Sequence, residues 1–212
     1  MVGEPESRCR AHLDFPAVTS ARVVLMASGS GTLAQAVLDA AESRGYTVVA
    51  LLTDQPQAPV VSRALEAGVL AHIVPVQDYA TRAAWDERVA AVLAAMEPDL
   101  VVSAGFMRVL GPTVVDAFAG RIINSHPSLL PLFPGAHAVA DALAAGVEVT
   151  GTTVHIVDRG VDTGPVLAQV QVPVQPGDTV DSLHERIKVA ERTLIVDVIA
   201  DQLARRQTGA ES

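Results

Sequence analysis

Five short apolar runs, each followed by a segment of different periodicity, constrain this chain more than any other feature. Val23–Met26, Val48–Leu52, Val69–Val74, Leu100–Ala104 and Ile122–Asn124 read as strands. Between them, Leu33, Ala36, Val37, Ala40 and Ala41 recur at helical spacing. Val60–Ala67 reads as a helix stopped by Gly68. Trp85, Val89, Val92, Leu93 and Met96 form a helical stripe that ends before Pro98, and Pro112 opens a short helix to about Phe118. Strands alternating with helices require right-handed crossovers and a parallel sheet. The expected fold is therefore α/β: a Rossmann-like, open, mostly parallel twisted sheet flanked by helices.

After Gly146 the pattern becomes less regular. Val149–Val157 and Val166–Val174 are extended runs separated by a polar, glycine-containing loop. Leu183, Ile187, Ala190, Leu194 and Val198 then mark a long C-terminal helix, with Asp178 or Thr179 available to cap it. The expected organisation is a flexible extension over residues 1–20, one domain over 21–204 and a frayed tail over 205–212. No repeat or inter-domain linker interrupts it.

Composition excludes several classes of function. Half of the 212 residues are hydrophobic but only 3% are aromatic, which suits a core of Ala, Val and Leu. The net charge of −9 argues against a nucleic-acid binder, which would carry a basic patch. Cys9 is the single cysteine, so no disulfide forms within the chain and a reducing, cytoplasmic setting is expected. The N-terminus mixes both charge signs without an apolar segment, unlike a signal peptide. No run approaches the roughly 18 uninterrupted apolar residues of a membrane helix.

The first strand ends in Ser28-Gly29-Ser30-Gly31-Thr32. Gly29-x-Gly31-x-x-Ala34, with Asp54 at the end of the second strand, fits the dinucleotide fingerprint. The loop alone leaves dinucleotide, monophosphate and structural turn equally open. Free N–H groups at a helix N-terminus make an anion site in either ligand case. Hydroxyls from Ser28, Ser30 and Thr32 favour a terminal phosphate, which has more acceptor oxygens than a bridging pyrophosphate; turn chemistry is the bland explanation.

The fifth strand runs into Asn124-Ser125-His126-Pro127-Ser128. Asn124 and His126 are two residues apart, so an extended backbone points both to one side. An amide and an imidazole then converge at a strand's carboxyl end, where open α/β sheets bind ligands. Two carboxylates follow in the tight loop Asp158-Arg159-Gly160-Val161-Asp162-Thr163-Gly164-Pro165. A carboxylate near His126 would favour the imidazolium. Imidazolium and amide are a donor pair suited to an oxyanion. Spacing alone leaves open whether Asp162 reaches His126.

These residues resemble a known family. Asn124-x-His126-Pro127-Ser128-Leu129-Leu130-Pro131, followed by Asp162-x-Gly164-Pro165, is similar to the signature of the folate-dependent formyltransferases. With the serine-rich turn, the likeness is to those members that formylate glycinamide ribonucleotide in purine biosynthesis, and it runs from about Arg22 to about Leu203. The resemblance implies 10-formyltetrahydrofolate as cosubstrate, no metal, and small-molecule partners only, with a homodimer left open. It implies catalytic roles for Asn124, His126 and Asp162. It places Ser30, Gly31, Thr32 and Leu33 at the ribonucleotide phosphate, and Lys188 and Glu191 on its remaining part. Many relatives carry asparagine where Leu33 stands, which removes a side-chain contact but keeps the backbone amide. It places Met107, Arg108, Val109, Leu110, Asn124 and the loop Asp158, Arg159, Gly160, Val161 and Asp162 at the folate, with Arg82 near its glutamate tail and His137 and His155 nearby. Without the resemblance, Phe106 and Met107 read as core, Arg108 as surface, Arg82 as a solvated helix residue, and His155 equally well as a satisfied core histidine.

Other readings differ in what they leave unexplained. A tRNA formyltransferase or a formyltetrahydrofolate deformylase is expected to carry a further domain that 212 residues do not accommodate. An NAD-dependent oxidoreductase accounts for Gly29, Gly31, Ala34 and Asp54 but not for Asn124, His126 and Asp162 as a set. A non-catalytic binding module would not need that set either.

Overall fold

The computed structural model describes residues 20–209. Its elements are β1 (Ala21–Met26), α1 (Thr32–Arg44), β2 (Tyr46–Thr53), α2 (Pro59–Glu66), β3 (Leu70–Ile73), α3 (Arg82–Ala95), β4 (Leu100–Ser103), α4 (Pro112–Ala117), β5 (Ile122–His126), α5 (Ala138–Ala144), β6 (Val149–Ile156), β7 (Val166–Pro173) and α6 (Val180–Gly209). They form one seven-stranded sheet in the order β3-β2-β1-β4-β5-β6-β7. β1 to β5 pair parallel; β6 and β7 pair antiparallel. The strand order reverses between β1 and β4, and a crevice opens beyond the carboxyl ends of strands at such a point.

Strand alternation divides the core in two. Val23 and Leu25 face one side, with Leu51, Val102 and Ile123, and meet Val37, Val60, Ile195 and Ile199 from the helices. Val24 and Met26 face the other, with Leu52, Val101 and Ile122, and meet Trp85, Leu93, Val114 and Phe118. Each fully buried side chain of this kind contributes about 1.5–3 kcal/mol. Trp85 also donates from Nε1 to the Val74 carbonyl at 2.9 Å and stacks on Phe106, with ring centroids 6.3 Å apart.

Asp86, on α3, anchors the far end of the segment after β4. Its buried carboxylate accepts backbone N–H groups from Gly111, Thr113 and Val114 at 2.7, 2.9 and 3.3 Å. These are first-turn amides of α4 that the helix itself leaves unbonded. A Cβ on Gly111 would stand 2.5 Å from this carboxylate, so the side chain could not approach any other residue as closely.

Beyond shifts of one or two residues at other element ends, two boundaries and one helix differ from the sequence expectation. β5 continues through His126, because antiparallel β6 pairs Asn124 with His155 and His126 with Thr153. Helix α5 was not expected: seven residues are too short for a clear periodicity. Helix α6 continues to Gly209, into the region expected to fray. Leu203 sits in the core and Arg206 donates to the Gly120 carbonyl, which holds the last turns. At the other end Thr179 caps α6 by accepting from Ser182 N–H at 3.2 Å. The expected extension over residues 1–20 lies, apart from Ser20, outside the described residues.

Candidate active site

One cleft of about 450 Å³ opens at the carboxyl edge of the sheet, over the crossover between β1 and β4. The turn after β1, the segment after β4, the end of β5, the loop after β6 and one face of α6 line it.

His126 is 5% exposed. Its Nε2 donates to the Phe133 carbonyl at 2.8 Å, since a carbonyl can only accept. That bond fixes the ring and leaves Nδ1 on the side of Asp162. Nδ1 lies 3.3 Å from Asp162 Oδ2. The other oxygen of Asp162 is 3.4 Å from His155 Nε2, and Gly135 N–H donates to Oδ2 at 2.8 Å. A hydrogen bond from His155 outweighs the cost of burial, with help from Gly135 and the charges of both imidazoles, so the Asp162 carboxyl sits below the ordinary aspartate range. Asp162 has φ 54°, a left-handed conformation that costs a non-glycine residue of order 1 kcal/mol or more. Its contacts to His126, His155 and Gly135 hold it there.

Asn124 Nδ2 lies 3.3 Å from His155 Nε2, while His155 Nδ1 donates to the Ile156 carbonyl at 2.9 Å. His155 Nε2 thus stands between the Asn124 amide and Asp162 Oδ1, within reach of both. His155 is thus both a buried histidine and a wall of the site, and the two readings of it were not exclusive. His137 is exposed and lies outside the lining.

Gly31, at φ 73°, opens α1 with no side chain capping its first N–H groups. A Cβ there would meet Val60 Cγ2 at 2.5 Å, so only glycine lets α2 pack this closely. The uncapped amides and the dipole of a 13-residue helix make an anion site. The hydroxyls of Ser30 and Thr32 have no hydrogen-bond partner among the described residues, whereas Ser28 Oγ is committed to Asp54 at 2.5 Å. Two hydroxyls, not three, are therefore available from this turn. The Leu33 side chain packs on the core beside α1, leaving its backbone at the site. Arg63 steadies the turn by donating from Nε to the Ser30 carbonyl at 2.8 Å.

Across the cleft, α6 presents Lys188 and Glu191. Glu191 is buried and accepts from Ser125 Oγ at 2.8 Å. Burial pushes its carboxyl up, against the hydrogen bond from Ser125 and the charges of Lys188 and Arg192. Lys188 Nζ reaches Glu185 at 2.7 Å. His184 lines the same face and was missed by the sequence reading, although it precedes Lys188 by four residues and Glu191 by seven, which sets all three on one helical stripe.

Met107, Arg108, Val109 and Leu110 line the other wall. Phe106 is buried as expected, but Met107 is 73% exposed and is not core. Arg108 is not a free surface residue either: Nε donates to Asp54 at 2.7 Å. Asp158, Gly160, Val161 and Asp162 complete the lining. Asp158 closes its loop by accepting from Gly160 N–H and Thr163 Oγ1 at 3.0 and 2.7 Å.

Arg82 and Arg159 do not line the cleft. Arg82 donates to the Val109 carbonyl at 2.6 Å and lies 4.2 Å from the Trp85 ring centre, so it braces the segment from outside. Arg159 forms a two-point pair with Asp116 on α4, at 3.0 and 2.6 Å, which turns it away. Among the described residues no group of three His, Cys, Asp or Glu side chains stands close enough to hold a metal ion. No described helix is long and apolar enough to cross a membrane.

An amide, an imidazole and an ionised carboxylate meeting beside an anion-binding turn define a group-transfer enzyme built on an open α/β sheet. The chain belongs to the formyl transferase family, whose sequence profile matches residues 21–199. It is 52% identical over 188 residues to phosphoribosylglycinamide formyltransferase of Mycobacterium tuberculosis, covering 89% of this chain and 87% of that one. The enzyme of the same name from Escherichia coli is 38% identical over 180 residues, covering 84% and 85%. The crystal structure of glycinamide ribonucleotide transformylase 1 from Symbiobacterium toebii superposes with a TM-score of 0.84 at 43% identity, over 85% of this chain and 86% of that one.

Proposed function

We infer that the enzyme transfers the formyl group of 10-formyltetrahydrofolate to the amine of glycinamide ribonucleotide, releasing tetrahydrofolate and formylglycinamide ribonucleotide. The observation that carries this reading is the meeting of Asn124, His126 and Asp162 in a cleft that an uncapped helix N-terminus also lines. The first group suits a formyl oxygen; the second suits a phosphate.

In this reading the phosphate sits on the amides of Gly31, Thr32 and Leu33, with the Ser30 and Thr32 hydroxyls and the Lys188 ammonium. Glu191 accepts hydrogen bonds from the ribose. The pterin packs on Met107, Val109 and Leu110, and their backbone groups bond its edge. Arg108 contributes backbone, since Asp54 holds its side chain. Asp158, Gly160 and Val161 close over the folate. Arg82 and Arg159 act at a distance, through the Val109 carbonyl and Asp116.

The substrate amine attacks the formyl carbon, and negative charge gathers on the formyl oxygen. Asn124 and a protonated His126 Nδ1 donate to it. Preorganised donors of this kind are worth ~10²–10³ each in turnover. Asp162 is the counter-ion for the proton on Nδ1. As the tetrahedral intermediate collapses, the leaving nitrogen of the folate takes up a proton and the former amine gives one up. His126 and Asp162 are placed to pass protons between them. Every group invoked comes from one chain. The lone cysteine fits reaction in the reducing cytoplasm.

Purified protein with 10-formyltetrahydrofolate should release tetrahydrofolate only when glycinamide ribonucleotide is present. Release without the amine would make the enzyme a hydrolase instead.

A further inference from the structure

Asp54 is a buried carboxylate for which formyl transfer has no direct use. It directly follows β2, is 1% exposed, and occupies the place where a dinucleotide site would bind ribose. Both of its oxygens are taken. Oδ1 accepts from Ser28 Oγ at 2.5 Å; Oδ2 accepts from Arg108 Nε at 2.7 Å and Gln55 Nε2 at 2.9 Å. Ser28 Oγ in turn accepts the Met107 N–H at 3.0 Å, and Ser28 N–H donates to the Gly105 carbonyl at 3.1 Å.

These bonds join the two loops that flank the crossover between β1 and β4. One loop is the phosphate turn and the other is the folate segment. We propose that Asp54 is a positioning residue that couples the two substrate sites, so that seating the ribonucleotide phosphate on residues 30–33 raises affinity for the folate at residues 107–110, and the reverse. The proposal rests on the assignment of those two segments in the proposed function.

The physical argument concerns what fixes the folate segment. Met107 and Val109 are 73% and 59% exposed, so apolar burial holds the segment only at its ends, Phe106 and Leu110. Its position depends on polar ties: Asp54 and Ser28 at Arg108 and Met107, and Arg82 at Val109. Ser28 is the first residue of the phosphate turn and the acceptor for Met107. A ligand that steadies either loop therefore steadies Ser28, and the second ligand meets a loop already held. Such coupling is reciprocal by thermodynamic necessity. A buried carboxylate suits the role because it accepts from both loops at once. An amide oxygen cannot match it.

The test is a pair of titrations. Affinity for glycinamide ribonucleotide is measured by calorimetry alone, and again with a saturating tetrahydrofolate analogue that has no formyl group. The wild type should bind about 5-fold or more tightly with the analogue present, the lower end of ordinary coupling. Asp54→Asn and Ser28→Ala should each bring the ratio within about 2-fold of one. If Asp54→Asn does not fold by circular dichroism, Ser28→Ala removes the same strap from its outer end. A purely structural Asp54 would weaken both binary affinities and leave the ratio unchanged, which overturns the proposal. So would a wild-type ratio of one. Failure of the wild type to formylate glycinamide ribonucleotide at all would instead overturn the assigned function, and is read separately.

Discussion

Asp162 stands 3.3 Å from His126 Nδ1 although 36 residues separate them. The Phe133 carbonyl holds the opposite nitrogen of the same ring. The imidazole is thereby aimed from one side and charge-matched from the other. Substitutions at this pair should affect chemistry far more than binding.

His126→Ala should lower kcat by ~10²–10³ or more. Its effect on affinity for glycinamide ribonucleotide should stay within about three-fold, because the sites proposed for phosphate and ribose lie on α1 and α6. Steady-state kinetics paired with calorimetric titration checks both. A large loss of affinity with retained turnover would remove His126 from the oxyanion role.

Asp162→Asn should lower kcat by ~10²–10⁴, because the neutral amide no longer places a negative charge beside His126 Nδ1. Stability gives a second readout. The Asp162 carboxyl is held below its ordinary value, so its stabilising contribution is present above about pH 4 and is lost as pH falls through the folded-state value. Acid unfolding of the wild type should therefore be steeper than that of the variant.

Glu191→Gln should separate function from stability. Burial raises this carboxyl, so the folded state favours its protonated form, and the stability it costs grows as pH rises above the unfolded value. A neutral isostere should raise Tm at pH 7 by on the order of 2–4 °C. It should also raise KM for the ribonucleotide about ten-fold, since a carboxylate accepts two ribose hydroxyls better than an amide does. Thermal melts and kinetics at one pH decide it.

Gly31→Ala should damage the phosphate turn. The new methyl would stand 2.5 Å from Val60, and the left-handed backbone adds a strain of about 1–2 kcal/mol. Tm should fall by on the order of 4–8 °C and KM for the ribonucleotide should rise. Adding Val60→Ala should recover part of the loss, because it relieves the clash but not the φ.

Where sequence reading succeeded, local patterns carried the information. Alternation of strand and helix announced the parallel sheet because periodicity is written into consecutive residues. Asn124 and His126 could be assigned to one side because a strand points every second residue the same way. The glycines of residues 29 and 31 announced a turn for the same local reason. Likeness to a family pointed to Lys188, Glu191 and Met107–Leu110, which no local pattern singles out and which line the cleft.

What only the tertiary structure decided is which distant groups meet. Whether Asp162 reaches His126 depends on how β6 pairs with β5 and on a left-handed residue in the following loop. Asp54 fits a dinucleotide acid by spacing, and only its contacts with Ser28 and Arg108 reveal a strap. Arg82 and Arg159 lie outside the cleft lining, held by the Val109 carbonyl and by Asp116. His155 joins the site because antiparallel pairing sets it opposite Asn124. A single chain spells out its backbone periodicities residue by residue. Contacts across 30 or more positions depend on sheet order and loop course, which are fixed by the summed packing of the whole core and not by any one segment.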